Sequence, residues 1–123
     1  MADDLIAFVR ARLDEDEVLA KAAMEHWPFS NVDSAASIPG NGPAHVWAYV
    51  TAHDPARALR EVARNRGVVE RHVPFAIAGY TGCSWCENED ATPWPCPDVR
   101  DLAAVYGYHP DYRQEWLPDV PRA

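Results

Sequence analysis

The sequence predicts an α+β, mainly helical domain with two longer helices, a small hairpin or irregular insertion, and a zinc-stapled C-terminal section carrying short helices. Three observations carry that expectation. Apolar residues recur at helical spacing over residues 4–24, a second helix opens at the pair Asp54-Pro55, and three cysteines crowd into "GCSWCENEDATPWPC" over residues 82–96. A chain of 123 residues at 48% hydrophobic can bury one core, so residues 1–123 are expected to be a single domain, with the zinc-knuckle section over about 72–117.

Taken in order, Leu5, Ile6, Val9, Leu13, Ala20 and Met24 recur at intervals of three, four or seven, with Phe8 and Leu19 widening the stripe. The acids Asp14, Glu15, Asp16 and Glu17 fall mid-helix; most face solvent, and Asp16 or Glu17 borders the stripe. Residues 25–43 are too rich in Pro, Gly, Asn and Ser for a long helix. "PGNG" is placed as the turn of a hairpin between "FSNVDSAASI" and "AHVWAYVT", although Val46, Tyr49, Val50 and His53 would equally suit a short helix.

The second long helix is the best defined. Asp54 can accept a hydrogen bond from a free first-turn N–H, and Pro55 loses nothing at the first helical position. Leu59, Val62, Ala63, Val69 and Val73 make one face, Arg57, Arg60, Arg64 and Arg71 another, and Gly67 is expected to mark close packing against a neighbour. "PFAIAGYTG" reads as a connector with strand character. "CPDVRDLAAVYGY" is a short helix starting at Pro97 with Val99, Leu102, Ala103 and Tyr106 inward, and "HPDYRQEWLP" is a final turn or short helix between Pro110 and Pro118. Trp94, Tyr106, Tyr108, Tyr112 and Trp116 are expected to pack this section against the long helices, or in part to stand exposed as anchors for a partner.

Charge narrows the function classes. A net charge of −8 argues against a general grip on a phosphate backbone, and so against nucleic acid as the partner. Five arginines against three acids in residues 41–72, between two acidic segments, suggest pairing between neighbouring helices. An arginine face made of Arg57, Arg60, Arg64 and Arg71 is the sharper alternative. No apolar run approaches membrane-spanning length and the N-terminus has no signal-peptide pattern, so a soluble, cytoplasmic protein without a membrane role is expected.

In a reducing compartment, close cysteines are more often metal ligands than disulfide partners. Cys83-x2-Cys86 can aim two sulfurs at one ion from a tight knuckle, and Cys96 can return a third. Three ligands leave a tetrahedron open. His72, eleven residues before Cys83, is the first choice for the fourth; His109 is the second, with His53, His45 and His26 behind. A thioredoxin-like pair is disfavoured because the acidic, proline-rich stretch after Cys86 offers no helix N-terminus to lower a thiol pKa. A zinc deaminase would need His-x-Glu and a proline before Cys83, and both are missing. A closed site of three cysteines and one histidine leaves no position for water, so the zinc is expected to be structural.

Other chemistry is thin. Ser34, Ser37 and Ser84 sit in no nucleophile elbow, and there is no phosphate-binding glycine loop or His-Glu-x-x-His motif. Asp111 and Glu115 share helical spacing and read as a solvated pair. No catalytic residue is assigned.

Together, "DDLIAFVRARLDEDE", "HDPARALREV", His72, the cysteine knuckle and above all "YGYHPDYRQEW" resemble a family of small uncharacterised proteins from actinobacteria and their phages. The resemblance covers the N-terminal helix and most of residues 53–117 and weakens over 25–50. It implies a phage or mobile-element accessory protein that binds a host protein, and it supports treating His72, Cys83, Cys86 and Cys96 as one unit; it transfers no catalytic residue. The expected function is therefore a noncatalytic zinc-stabilised interaction module. Two alternatives stand beside it: a zinc-dependent hydrolase with an open three-cysteine site, and a nucleic-acid module using the arginine face.

Overall fold

The computed structural model describes residues 2–27, 44–86 and 92–118. Among them are four α-helices, α1 (Ala2–Glu25), α2 (Ala44–Ala52), α3 (Pro55–Arg71) and α4 (Pro97–Ala104), and two short strands, β1 (Pro74–Ile77) and β2 (Tyr80–Cys83). A 3-10 turn, Gln114–Trp116, follows. The fold is α+β and mainly helical, as expected. The chain divides into two compact units, residues 1–14 with 64–123 and residues 15–63, and the divisions fall inside α1 and α3.

In the first unit the N-terminal half of α1 supplies the core. Leu5, Phe8, Val9 and Leu13 are buried, at the spacing that puts them on one helical face. Phe8 is the hub of an aromatic cluster: its ring centroid lies 6.4 Å from Tyr106, 5.9 Å from Tyr112 and 5.1 Å from Trp116. The contacts with Tyr106 and Tyr112 are edge-to-face and the one with Trp116 is tilted, and aromatic pairs of this kind add to simple burial. The guanidinium of Arg12 lies 5.1 Å over the Phe8 ring and that of Arg113 lies 5.2 Å over Trp116, so two cations lie over the cluster. Tyr106 and Trp116 are buried as the sequence suggests, whereas Tyr108 is 79% exposed and outside this packing. Arg113 also pairs with Asp4 at 3.0 Å, tying the last described turn to the first turn of α1.

α3 enters this unit at Arg64. Val69 is buried, and Arg66 bonds Asp14 on α1 at 2.7 Å, which is the pairing between basic and acidic segments that the charge pattern suggests. The helix ends at Arg71, so Val73 lies beyond it and is half exposed instead of continuing the apolar face. Gly67 is close to its own helix and not to a neighbouring element. A Cβ there would meet only the end of the Arg71 side chain, at 3.3 Å.

Among the described residues β1 and β2 form a hairpin, antiparallel with Pro74 opposite Cys83 and Ile77 opposite Tyr80. Ala78 and Gly79 make the turn, both with positive φ (50° and 81°), as a primed two-residue turn requires. Gly82 forms a further bridge to Pro93, and Trp94 donates its N–H to the Thr81 carbonyl at 2.9 Å, so the chain returning after residue 91 lies along β2. α4 then opens at Cys96, with Pro97 in its first turn, and buries Val99 and Ala103 while Leu102 is half-buried. Arg100 locks its position by donating to the Pro95 carbonyl at 3.0 Å and the Leu117 carbonyl at 3.1 Å.

The second unit holds the rest of α1, α2 and the start of α3. Ala20 is buried here, but Leu19 is 67% and Met24 45% exposed, so the apolar stripe read from periodicity is not covered along its whole length. Of the two readings of "AHVWAYVT", a hairpin strand or a short helix, the helix is formed: the segment lies in α2, closed by His53, whose Nδ1–H donates to the Tyr49 carbonyl at 2.8 Å. The first strand and the "PGNG" turn of the hairpin reading lie outside the described residues. Nine consecutive residues free of Gly and Pro favour a helix as readily as a strand, and local backbone bonding decides it. The Asp54 cap is formed as expected, Oδ1 accepting from the Arg57 N–H at 2.9 Å. Among the described residues no helix is long and apolar enough to cross a membrane.

Candidate metal centre

The hairpin explains why His72 meets the knuckle. Because Pro74 lies opposite Cys83, the residues just before β1 and just after β2 must run side by side. Ser84 donates its N–H to the Val73 carbonyl at 2.9 Å and its hydroxyl accepts from the Val73 N–H at 3.3 Å, which pins the end of α3 against the turn holding Cys86. His72 itself extends the helical pattern by one bond, its N–H reaching the Val68 carbonyl at 3.1 Å. Cys96 arrives from the other side at the start of α4, carried there by the strand-like return of residues 92–94 along β2.

His72 Nδ1 lies 3.3 Å from Cys83 Sγ, 3.5 Å from Cys86 Sγ and 3.4 Å from Cys96 Sγ. All four ligand atoms lie within 4.8 Å of one another. In a tetrahedral site with metal–sulfur bonds of ~2.3 Å and a metal–nitrogen bond of ~2.05 Å, nitrogen and sulfur stand about 3.6 Å apart. One nitrogen nearly equidistant from three sulfurs at this spacing is the outline of such a site, and these residues can hold a metal ion. The three cysteines are free thiols, with no disulfide among them.

The surroundings suit a buried ligand set. Cys83 and Cys96 are fully buried and His72 nearly so, while Cys86 is half-buried. Burial pushes the Cys96 thiol up to about 12, with its sulfur neighbours adding to the rise, and burial likewise raises Cys86. Burial also lowers His72, with Arg71 adding to that effect and Asp98 opposing it. Each shift favours the uncharged form of its group. A cation changes the balance, since thiolates are the ligands and metal binding expels their protons.

The other histidines are placed elsewhere. His109 lies 5.6 Å from the Phe8 ring, its Nδ1 accepts the Asp111 N–H at 3.0 Å, and the Arg12 guanidinium bonds to it. His53 stacks on Tyr49 at 4.0 Å, and His45 and His26 are exposed. Three of the four arginines read as one face have separate local partners. Arg57 pairs with Glu61 at 3.1 Å, Arg64 bonds Asn65 at 2.9 Å, and Arg71 lies 5.5 Å over the Trp85 ring. Asp111 and Glu115 are both exposed and do not share a helix, and Ser34 and Ser37 fall outside the described residues.

Two residues beside the site escape a reading of ligand spacing. Asp98 Oδ2 lies 3.6 Å from His72 Nε2, the ring nitrogen facing away from the sulfurs. Trp85, between the two knuckle cysteines, is 61% exposed with its ring 6.3 Å from that of His72. The sequence signal for Asp98 is its place two residues after a cysteine and in the first turn of α4. A cleft of about 400 Å³ lined by Ile6, Ala7, Arg10, Val69, His72, Val73 and Pro74 adjoins the site. Apart from Arg10 and His72 its walls are apolar, and it holds no acid–base pair.

The model of DUF6221, a family of unknown function, matches residues 2–118, a span containing every residue of the cluster. No curated protein and no solved structure matches the chain. By that match over nearly its whole length, the chain belongs to the DUF6221 family.

Proposed function

We propose that this is a small noncatalytic zinc protein in which His72, Cys83, Cys86 and Cys96 close a structural site, and that the stapled section presents a surface to a protein partner. The observation that carries the reading is the near-equal spacing of His72 Nδ1 from three thiols, 3.3 to 3.5 Å. Three soft sulfurs and an imidazole in a compact tetrahedral arrangement suit zinc. A histidine at the fourth corner argues against a hydrolase, which would need that corner for water. The arginine face has little support as a nucleic-acid site, given the net charge of −8 and the local partners of Arg57 and Arg64.

The biological setting attached to this reading is a cytoplasmic accessory protein of an actinobacterial phage or mobile element that acts on a host protein. Its support is the sequence resemblance. The exposed Trp85 under the Arg71 guanidinium supplies the kind of anchor that interfaces favour.

Native mass spectrometry of the whole protein, with and without chelator, tests the metal. One zinc per chain is expected, with loss of zinc on chelation and weaker retention in His72→Ala. A zinc-free protein from zinc-replete expression, or His72→Ala holding zinc as tightly as the parent, would overturn it.

A further inference from the structure

His72 presents two ring nitrogens, and only Nδ1 faces the thiols. Nε2 points the opposite way, and a carboxylate oxygen of Asp98 stands 3.6 Å from it. The imidazole is 3% exposed at its side chain while the aspartate is 62% exposed, so a buried ring faces an acid free to swing. The backbone sets where this acid stands. Cys96 caps α4, Pro97 fixes the entry to its first turn, and Asp98 follows, so one turn delivers both a ligand sulfur and a carboxylate aimed at the histidine.

We infer that Asp98 is a positioning residue for the metal site: it accepts the Nε2–H of His72 and thereby holds the ring with Nδ1 free for the ion. The inference rests on the metal reading above and deepens it. A neutral imidazole carries one proton on one of two nitrogens, and only the Nε2–H tautomer leaves the Nδ1 lone pair for a metal. An anion at Nε2 selects that tautomer. The present separation is longer than a hydrogen bond; an approach of roughly 0.7 Å by the exposed side chain brings it to the length of ~2.9 Å expected of a charge-assisted one. As the ion draws electron density from Nδ1, the Nε2–H becomes a better donor and the contact tightens. Partners of this kind are commonly worth about 10–100-fold in metal affinity.

The test compares Asp98→Ala and Asp98→Asn with the parent, using Asp101→Ala as a control on the same helix. Zinc affinity is measured by chelator competition, and the His72 tautomer by nitrogen-15 NMR of the imidazole in both zinc-loaded and chelated protein. Asp98→Ala is expected to bind zinc about 10–100-fold more weakly and to lose the Nε2–H preference in the chelated state. Asp98→Asn, which keeps an acceptor oxygen, is expected to retain that preference and part of the affinity. An unchanged tautomer in Asp98→Ala, or an equal loss of affinity in Asp101→Ala, overturns the inference. The tautomer is measured without metal, so a protein that binds no zinc sinks the metal reading while the chelated spectra still show whether Asp98 orients the ring.

Discussion

His72 Nδ1 and Cys96 Sγ stand 3.4 Å apart although 24 residues of chain separate them. An ion held by both, together with Cys83 and Cys86, fastens the end of α3 to the start of α4 across the hairpin. Chelation is therefore expected to lower the melting temperature. At free zinc a thousandfold above its dissociation constant the lost stabilisation is about 4 kcal/mol, provided the unfolded chain does not bind. Cys96→Ser should show most of that loss even with zinc present, as read by thermal melts at fixed metal concentration. A chelated protein melting where the loaded one does would contradict it.

The metal-free protein should have a limited pH range of greatest stability. Burial lowers His72 below its ordinary 6.5, so between those two values the unfolded chain holds more protons than the folded one, and stability is lost as pH falls through that interval. Cys96 behaves oppositely. Its thiol is raised from 9.0 to about 12, so its contribution is complete below 9.0 and is lost as pH climbs towards 12. Melts in chelator across pH should thus plateau between the two ordinary values and decline on both sides. In His72→Ala the acid-side decline should shrink.

The hydroxyl of Tyr112 is buried with no hydrogen-bond partner among the described residues, and burial raises its pKa. Tyr112→Phe keeps the edge-on packing against Phe8 while removing a polar group left dry, so a gain of up to ~1 kcal/mol is expected. Phe8→Ala, which removes the hub of the cluster, should cost about 3–5 kcal/mol. Urea unfolding of the pair gives opposite shifts in midpoint if the packing is as described.

Gly67 sits in the interior of α3 without need of its missing Cβ, since the nearest atom belongs to the far end of a flexible arginine. Gly67→Ala is accordingly expected to stabilise the protein by about 0.5–1 kcal/mol. A destabilised variant would mean that Arg71 cannot yield its place over Trp85.

Which of these features can be read from sequence follows from how local their cause is. Asp54 and Pro55 announce α3 because capping acts between near neighbours in the chain, and Cys83-x2-Cys86 announces a knuckle for the same reason. His72 is within reach of such reasoning because the chain between it and Cys83 is short. Residues 44–51 read equally as a hairpin strand or a short helix because "PGNG" is a strong turn signal beside a segment free of Gly and Pro, while the turn in β1-β2 is built on Ala78, a residue that seldom takes positive φ. Tyr108 and Leu19 show the limit of periodicity: it says which residues share a face, not what covers it. Asp98 needs the third dimension: its place two residues after Cys96 brings it near the site, but only the fold shows that a ring nitrogen of His72 faces it.

The first unit is assembled from residues 1–14 and 64–123, with Phe8 seated against Trp116. That discontinuity sets an order of events during synthesis. The apolar side of the first helical turns leaves the ribosome early, but its covering aromatics follow about a hundred residues later, roughly 5–20 s at ordinary translation rates. Through that interval Phe8 lacks the three aromatic rings that pack on it in the folded protein. In such a chain the core face of one helix stays open until a distant segment has been made to close it.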